Sequence, residues 1–242
     1  MINSRGLVAL IPALCLSAAV WAGDKVPDDL SVRLKQIVPT ATPDSVKETP
    51  VKGIYEVVYG GDILYVSGDG NFLFQGSLVD LENRINLTDQ TQNIQRKVVV
   101  DGIADDNTIM YSPKGETKHT ITVFTDVDCP YCRKMHEEME GYLSAGIAVR
   151  YLLYPRSGYG TPSSDKLITA WCADDRQAAL TAAKMGKGGP KKTCDNPVEE
   201  HIALGHQVGV TGTPAILLES GQLIPGYRPP KDMAAMLSRL EK

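Results

Sequence analysis

Two cysteines stand two residues apart in "TDVDCPYCRKMHEE", residues 125 to 138. A pair so spaced can hold a metal, staple a loop or exchange electrons with another disulfide. A zinc site would draw on His201 and His206, yet the gap between the two halves is far longer than in a compact finger. A permanent disulfide across so short a loop is strained and easily reduced. The flanking residues favour the redox reading. "HTITVFT" upstream is a β-branched strand, and Met135, Met139, Tyr142 and Leu143 downstream recur at helical spacing, which places the pair where a strand gives way to a helix. Cys132 then shares a buried helical face with Met135 and Met139, while Cys129 falls at the exposed first turn. A thiolate at a helix N-terminus is stabilised by unpaired backbone N–H groups and the dipole, which draw its pKa from about 8.5 toward roughly 3.5 to 7.5. Pro130 suits that turn because it needs no N–H and has a helix-like φ. Cys129 is therefore the candidate nucleophile and Cys132 the resolving thiol.

A second signal lies in "TGTPAILL", residues 211 to 218. A Thr-Pro entering a strand beside a redox turn predicts a cis peptide before Pro214, with the backbone of Thr213 offered to substrate as a strand edge. An ordinary trans proline at a strand start is the alternative. Asp126 is open to two roles, assisting proton transfer from Cys132 or capping the end of the strand. Asp128 and His136 are expected in solvent. Arg133 is expected to add positive potential near Cys129, unless it is simply a surface charge.

Several elements must position these groups. "DDLSVRLKQIVP" predicts a short helix with Leu30, Leu34, Ile37 and Val38 on one face, ended by Pro39. "IYEVVY", "ILYV" and "FLFQGSLVDL" are β-rich runs separated by the turn sequences "GGD" and "SGDGN". One helix and a small antiparallel sheet bury little alone, so pairing with a second copy is expected. "LTDQTQNIQRKVVVDGIADDNTIM" predicts a weakly amphipathic connector helix capped by Thr88 or Asp89. The rest alternates strand and helix. "IAVRYLLYP" reads as a buried parallel strand, "SSDKLITAWCADDRQAALTAAKMG" and "NPVEEHIALGHQVG" as helices, the latter with Asn196 as N-cap and Pro197 at its first position. "TPAILLE" and "LIPGY" form a hairpin, and Met233, Met236, Leu237 and Leu240 mark a closing helix. The layout is an α/β layer fold behind a small α+β unit.

The first 22 residues carry Arg5, an apolar run from Gly6 to Ala19 and small residues near Ala22, the pattern of a cleaved export signal. Removing it takes Cys15 away and leaves Cys129, Cys132, Cys172 and Cys194, an even number suited to the oxidising periplasm. The formal net charge is −4, or −5 without Arg5, and no basic block exceeds two residues, which argues against nucleic acid as a partner. No later stretch reaches the length of a membrane span. No nicotinamide or flavin motif occurs, so neither cofactor nor metal is expected.

Residues 118 to 242 resemble the thioredoxin-fold catalytic domain of the bacterial DsbC and DsbG disulfide isomerases. The stretches that carry the resemblance are "ITVFTDVDCPYCRKMHEEM", "VRYLLYPRSG", "AWCADD", "ALGHQVGVTGTPAILL" and "LIPGYRPPKDM". Upstream, a small cystatin-like dimerisation domain and a helical linker correspond less specifically. The resemblance implies a signal peptide at 1 to 22, a dimerisation domain at 23 to 87, a linker at 88 to 110 and a thioredoxin-like domain with a helical insertion at 111 to 242. It implies a V-shaped homodimer with an apolar cleft for misfolded, disulfide-containing exported proteins. Cys129 and Cys132 take the place of the active pair, and Thr213, Pro214, Pro130 and Tyr131 that of substrate-binding residues. A structural disulfide between Cys172 and Cys194 is also implied; closing a loop of about 22 residues is worth on the order of 3 kcal/mol. That pair favours DsbC over DsbG, whereas the Pro-Tyr dipeptide and Arg133 depart from the usual DsbC pattern. The implied activity is isomerisation of wrong disulfides, with a membrane reductase resembling DsbD keeping the pair reduced. The alternatives are a DsbG-like reductase of single oxidised cysteines and a holdase for unfolded exported chains.

Overall fold

In a computed structural model, residues 26 to 240 are described; the expected export signal lies outside them. Helix α1 (Asp28–Ile37) precedes a meander of four antiparallel strands, β1 (Ser45–Glu48), β2 (Ile54–Tyr59), β3 (Asp62–Ser67) and β4 (Leu73–Phe74). The periodicity of α1 puts Leu30 and Leu34 on the sheet, against Tyr55, Val57 and Val66. Gly60, at φ +58°, makes the two-residue turn between β2 and β3, where Tyr59 pairs with Asp62. The run "FLFQGSLVDL" does not form one strand. It breaks at Gly76 (φ +145°), and β5 (Val79–Asp80) pairs instead with β6 (Ile85–Asn86) as a separate ribbon.

The connector helix α2 (Leu87–Asp101) follows, capped by Asn86, whose side chain accepts from the N–H of Asp89. The cap is thus two or three residues earlier than expected, because Thr88 is turned inward to accept from the N–H of Leu78 and to bond the hydroxyl of Tyr65. Glu56, buried on β2, accepts from the Thr91 hydroxyl, which lies within reach of both carboxylate oxygens, and fastens α2 to the first sheet.

A second sheet has the order β11-β10-β8-β9-β7. Strands β8 (His119–Thr125) and β9 (Ile147–Leu153) are parallel; β7 (Ile109–Tyr111), β10 (Ala215–Leu218) and β11 (Leu223–Pro225) complete it in antiparallel fashion. Side-chain alternation divides the sheet into two cores. Ile121, Val123, Val149, Tyr151 and Ile216 face one side, while Phe124, Leu152 and Leu217 face the other.

The first side is covered by α3 (Pro130–Glu137), α4 (Met139–Ser144), α5 (Pro162–Trp171), α6 (Arg176–Lys184) and α8 (Pro230–Leu240), through Met135, Tyr142, Leu167, Leu180 and Met233. The second is covered by Val100 at the end of α2 and by Val208 at the end of α7 (Val198–Val208). Two expected helices are therefore broken. The segment after the cysteines divides at Glu138, and the 163–186 segment divides after Cys172, where "ADD" turns the chain and Asp175 caps α6 by accepting from the N–H of Ala178. Pro197, not Asn196, is the N-cap of α7, although the Asn196 side chain does accept from the N–H of Val198.

Candidate active site: a dithiol turn against a cis-proline loop

Strand β8 ends at Thr125, and the chain turns through residues 126 to 128 before entering α3. The turn is held by one carboxylate. Asp126, almost wholly buried, accepts from the N–H of Asp128 (2.8 Å) and the hydroxyl of Ser163 (2.7 Å) through one oxygen. Its other oxygen accepts from the N–H and Nε of Arg156 (3.0 and 3.1 Å). Burial opposes its charge, but the bonds from Ser163, Arg156 and Asp128 outweigh burial and hold its carboxyl below the usual range. Ser163 is delivered by the first turn of α5, which Pro162 and the reciprocal Thr161–Ser164 capping box fix in place.

Cys129 is the N-cap of α3 and Pro130 its first residue. The pairing of Ala215 with Phe124 carries the preceding Thr213 and Pro214 past the same end of β8, and the Thr213–Pro214 peptide is cis. The Sγ of Cys129 lies 3.1 Å from the carbonyl oxygen of Thr213. That contact corrects one expectation: Cys129 is not an exposed sulfur but only 2% exposed, because a loop 84 residues away in sequence lies over the helix end. Cys132, Met135 and Met139 form the buried face of the turn and its helices, as their spacing requires.

The two thiols differ. For Cys129, burial raises the pKa, but the donors that face its thiolate, the Thr213 hydroxyl first, then the Cys132 N–H and thiol and the Tyr131 N–H, outweigh it, and the net shift is downward. For Cys132, deeper burial dominates and pushes the thiol up, against the opposing charge of Lys184 and smaller bonds from the 125–126 segment and Thr213. The Thr213 hydroxyl is buried and faces both sulfurs, but closes no hydrogen bond among the described residues while they are thiols. It is a donor available to a sulfur anion.

Around the sulfurs, Tyr131 is 62% exposed and presents an apolar ring beside them. Arg133 donates from Nε to the carbonyl of Val127 (2.7 Å) and pairs with Asp128 (3.3 Å), which Lys166 also contacts (2.7 Å). A groove lined by Val210, Thr211, Thr213, Pro214, Leu223 and Pro225 runs away from the pair along the loop before β10. A larger cleft, between the β2–β3 turn, α2 and the end of α7, does not reach the cysteines.

His136 corrects a second expectation, for it is buried rather than solvated. The Thr181 hydroxyl donates to the carbonyl of Gln177 (2.8 Å), so it accepts from Nε2 of His136 (2.9 Å), leaving Nδ1 facing the Tyr151 hydroxyl (3.4 Å). Burial first, then the charge of Lys184, lowers its pKa to about 4. His201 is committed too: Nδ1 accepts from the N–H of Leu153 and Nε2 donates to the carbonyl of Asn107, both at 2.9 Å. Neither ring nitrogen is left for a metal. Among the described residues no cluster of three or more His, Cys, Asp and Glu side chains is arranged to hold one. Cys172 and Cys194 are joined by a disulfide that ties the end of α5 to the segment leading into α7. Sequence reasoning overlooked Arg156, Ser163 and Lys184; the last was detectable as a lysine four residues after Leu180 on the apolar face of its helix.

Two family models match the chain: the N-terminal domain of disulfide bond isomerase proteins over residues 22 to 89, and a thioredoxin-like domain over residues 106 to 241. The thiol:disulfide interchange protein DsbC of Salmonella typhimurium is 38% identical over 229 residues, covering 94% of both chains. This chain belongs to the DsbC family. DsbC of Escherichia coli K12 is 34% identical over 226 residues and 93% of both chains. Among solved structures, a disulfide interchange protein from Neisseria gonorrhoeae is similar, with 31% identity and a TM-score of 0.50 over 56% of this chain and 97% of that one. As a DsbC family member, the chain has thiol:disulfide interchange as its class of activity. No helix among the described residues is long and apolar enough to cross a membrane.

Proposed function

We propose that this chain is a periplasmic disulfide isomerase in which Cys129 attacks and Cys132 resolves. The observation that carries the reading is the unequal pair: one thiol eased toward its anion by donors at a helix end, the other held as a thiol by burial. The Cys129 thiolate attacks one sulfur of a wrong substrate disulfide. A Cys129–substrate disulfide forms as the substrate's own S–S bond breaks, and the electron pair leaves on a substrate thiolate. That thiolate attacks elsewhere in the substrate, and the final exchange returns Cys129, so isomerisation is redox-neutral. If rearrangement stalls, Cys132 displaces the substrate and the pair is left oxidised. A membrane reductase of the DsbD kind would then restore the dithiol.

Thr213, Pro214, Pro130 and Tyr131 serve as the substrate-binding rim in this reading. Ionisation of Cys129 removes the S–H that faces the Thr213 carbonyl, leaving that carbonyl for an extended substrate segment to pair with, and the Thr213 hydroxyl receives the sulfur anion. Of the two roles open to Asp126, anchoring the turn fits its four hydrogen bonds, since a carboxylate so well satisfied is a poor proton acceptor. Residues 23 to 87 would pair two copies, with 88 to 110 as linker and 111 to 242 as the catalytic unit. The exposed apolar side chains Phe72, Leu73 and Phe74 at the edge of the first sheet, and Val79 on the β5–β6 ribbon, suit such pairing. The test is recovery of native pairing in a scrambled multi-disulfide substrate. Cys129→Ala should abolish it, and recovery at the wild-type rate would refute the assignment.

A further inference from the structure

Lys184 ends α6 and is only 3% exposed, an unusual place for an ammonium group. Its Nζ donates to the hydroxyl of Thr125 at 2.7 Å and lies 5.1 Å from the centre of the Tyr151 ring. It forms no ion pair with a carboxylate among the described residues. One hydroxyl and an aromatic face do not compensate a buried cation, which needs an anion within reach. Thr125 is the last residue of β8, and its hydroxyl also faces Cys132. Having accepted from the lysine, that hydroxyl still has a proton to donate to sulfur.

We propose that Lys184 is a positioning residue for the resolving step: its buried ammonium, bridged by the Thr125 hydroxyl, holds the Cys132 thiolate that cleaves the mixed disulfide. This rests on the assignment of Cys132 as the resolving thiol. In the step itself, the Cys132 thiolate attacks Sγ of Cys129 in the Cys129–substrate disulfide. The bond between the two cysteines forms as the bond to substrate breaks, and the electron pair leaves on the substrate thiolate. The enzyme pair is oxidised and the substrate sulfur reduced. The proton that Cys132 gave up goes, through solvent, to the departing substrate thiolate. Once the pair is a disulfide, Cys132 can no longer ionise, and the buried ammonium has lost the one sulfur that could become its partner anion.

The groups that face Lys184 come from every element around it. From α3 they are Cys132, Arg133 and the neutral His136; from the turn before α3, Asp126 and Cys129; from β9, Tyr151. Asp126 already has four hydrogen-bond donors, and Arg133 opposes a second positive charge. Cys132 is the strongest of the charges that favour the ammonium, while burial dominates and brings the lysine from 10.5 down to about 8. The lysine is thus cationic near neutral pH but easily swayed by its neighbour.

Two experiments test the inference. In the full-length exported chain with isotope-labelled lysine, the Lys184 Nζ resonance should titrate at lower pH in the oxidised protein, where Cys132 has no proton to lose, than in the reduced protein, where the two ionisations are coupled. Equal midpoints in the two forms would overturn the coupling. In the second, Lys184→Met is charged with glutathione at Cys129, and release of glutathione is followed across pH. Release should be about tenfold slower than wild type at pH 7, with its pH midpoint raised by about one unit. An unchanged rate, or slowing by the same factor at every pH, would reduce Lys184 to a structural residue. Cys132→Ser, run alongside, keeps the two readings apart: glutathione released from it at the wild-type rate would defeat the resolving role of Cys132 instead.

Discussion

Acid should unlock one internal tie before it reaches the sulfurs. His201 is buried, and each ring nitrogen has a fixed job: Nδ1 accepts from the N–H of Leu153, and Nε2 donates to the carbonyl of Asn107. A proton on Nδ1 would point at the Leu153 N–H, so the bond would become a clash. Burial, outweighing a favourable bond to Asn107 and the charge of Glu200, lowers the pKa from 6.5 to about 4. Above pH 6.5 neither the folded nor the unfolded chain carries the proton, and the contribution of neutral His201 is complete. As pH falls toward 4 the unfolded chain takes up a proton that the folded chain refuses, so stability is lost progressively and the loss is complete just below the folded value. The gap corresponds to about 3 kcal/mol. His201→Leu removes the titration but strands an N–H and a carbonyl, at roughly 1 to 3 kcal/mol for each group. Urea unfolding followed by circular dichroism at pH 7, 6, 5 and 4 measures both effects. The variant should be clearly less stable at pH 7, and the gap to wild type should shrink by about 3 kcal/mol by pH 4. His136 contributes its own acid sensitivity equally to both chains and cancels in the difference. A gap that stays constant with pH would refute the fixed tautomer and the burial argument together.

Other outcomes follow from the same geometry. Asp126→Ala leaves the Asp128 and Arg156 N–H groups and the Ser163 hydroxyl without their acceptor, and should lower stability by about 3 kcal/mol or more in denaturant unfolding. Replacing Cys172 and Cys194 together with alanine should cost on the order of 3 kcal/mol and raise amide exchange through residues 173 to 193, which include α6 and Lys184. A Cβ at Gly205 would overlap the ring of Tyr154, so Gly205→Ala should push α7 from the sheet and cost about 1 to 3 kcal/mol, read as a lowered Tm.

Much of this arrangement was legible before any coordinates, and the reasons are local. The spacing of Cys132, Met135 and Met139 is a property of one helical face, and Pro130 and the Thr-Pro before β10 are restrictions written in single residues. The family resemblance added the Cys172–Cys194 pairing, which spacing alone leaves open among three connectivities. What escaped depends on contacts between distant segments. Cys129 was expected in solvent because its own helix offers no cover; the cover comes from the loop before β10. His136 has the polar neighbours of a surface helix, yet its partners Tyr151 and Thr181 lie on β9 and α6. The cap of α2 moved to Asn86 because Thr88 was claimed by Leu78 and Tyr65. Arg156 has a role only because the turn at Asp126 folds against the end of β9.

The central claim is that the two sulfurs of one short turn have been driven apart, the first toward thiolate and the second away from it. Carbon-13 labelling of the cysteine Cβ atoms in the reduced chain, with each resonance followed across pH, reads both thiols without requiring reagent access to buried sulfur. Cys129 should titrate below the ordinary cysteine value and Cys132 above it. If Cys132 ionises first, or both titrate together at the ordinary value, the division of labour between attacker and resolver is contradicted.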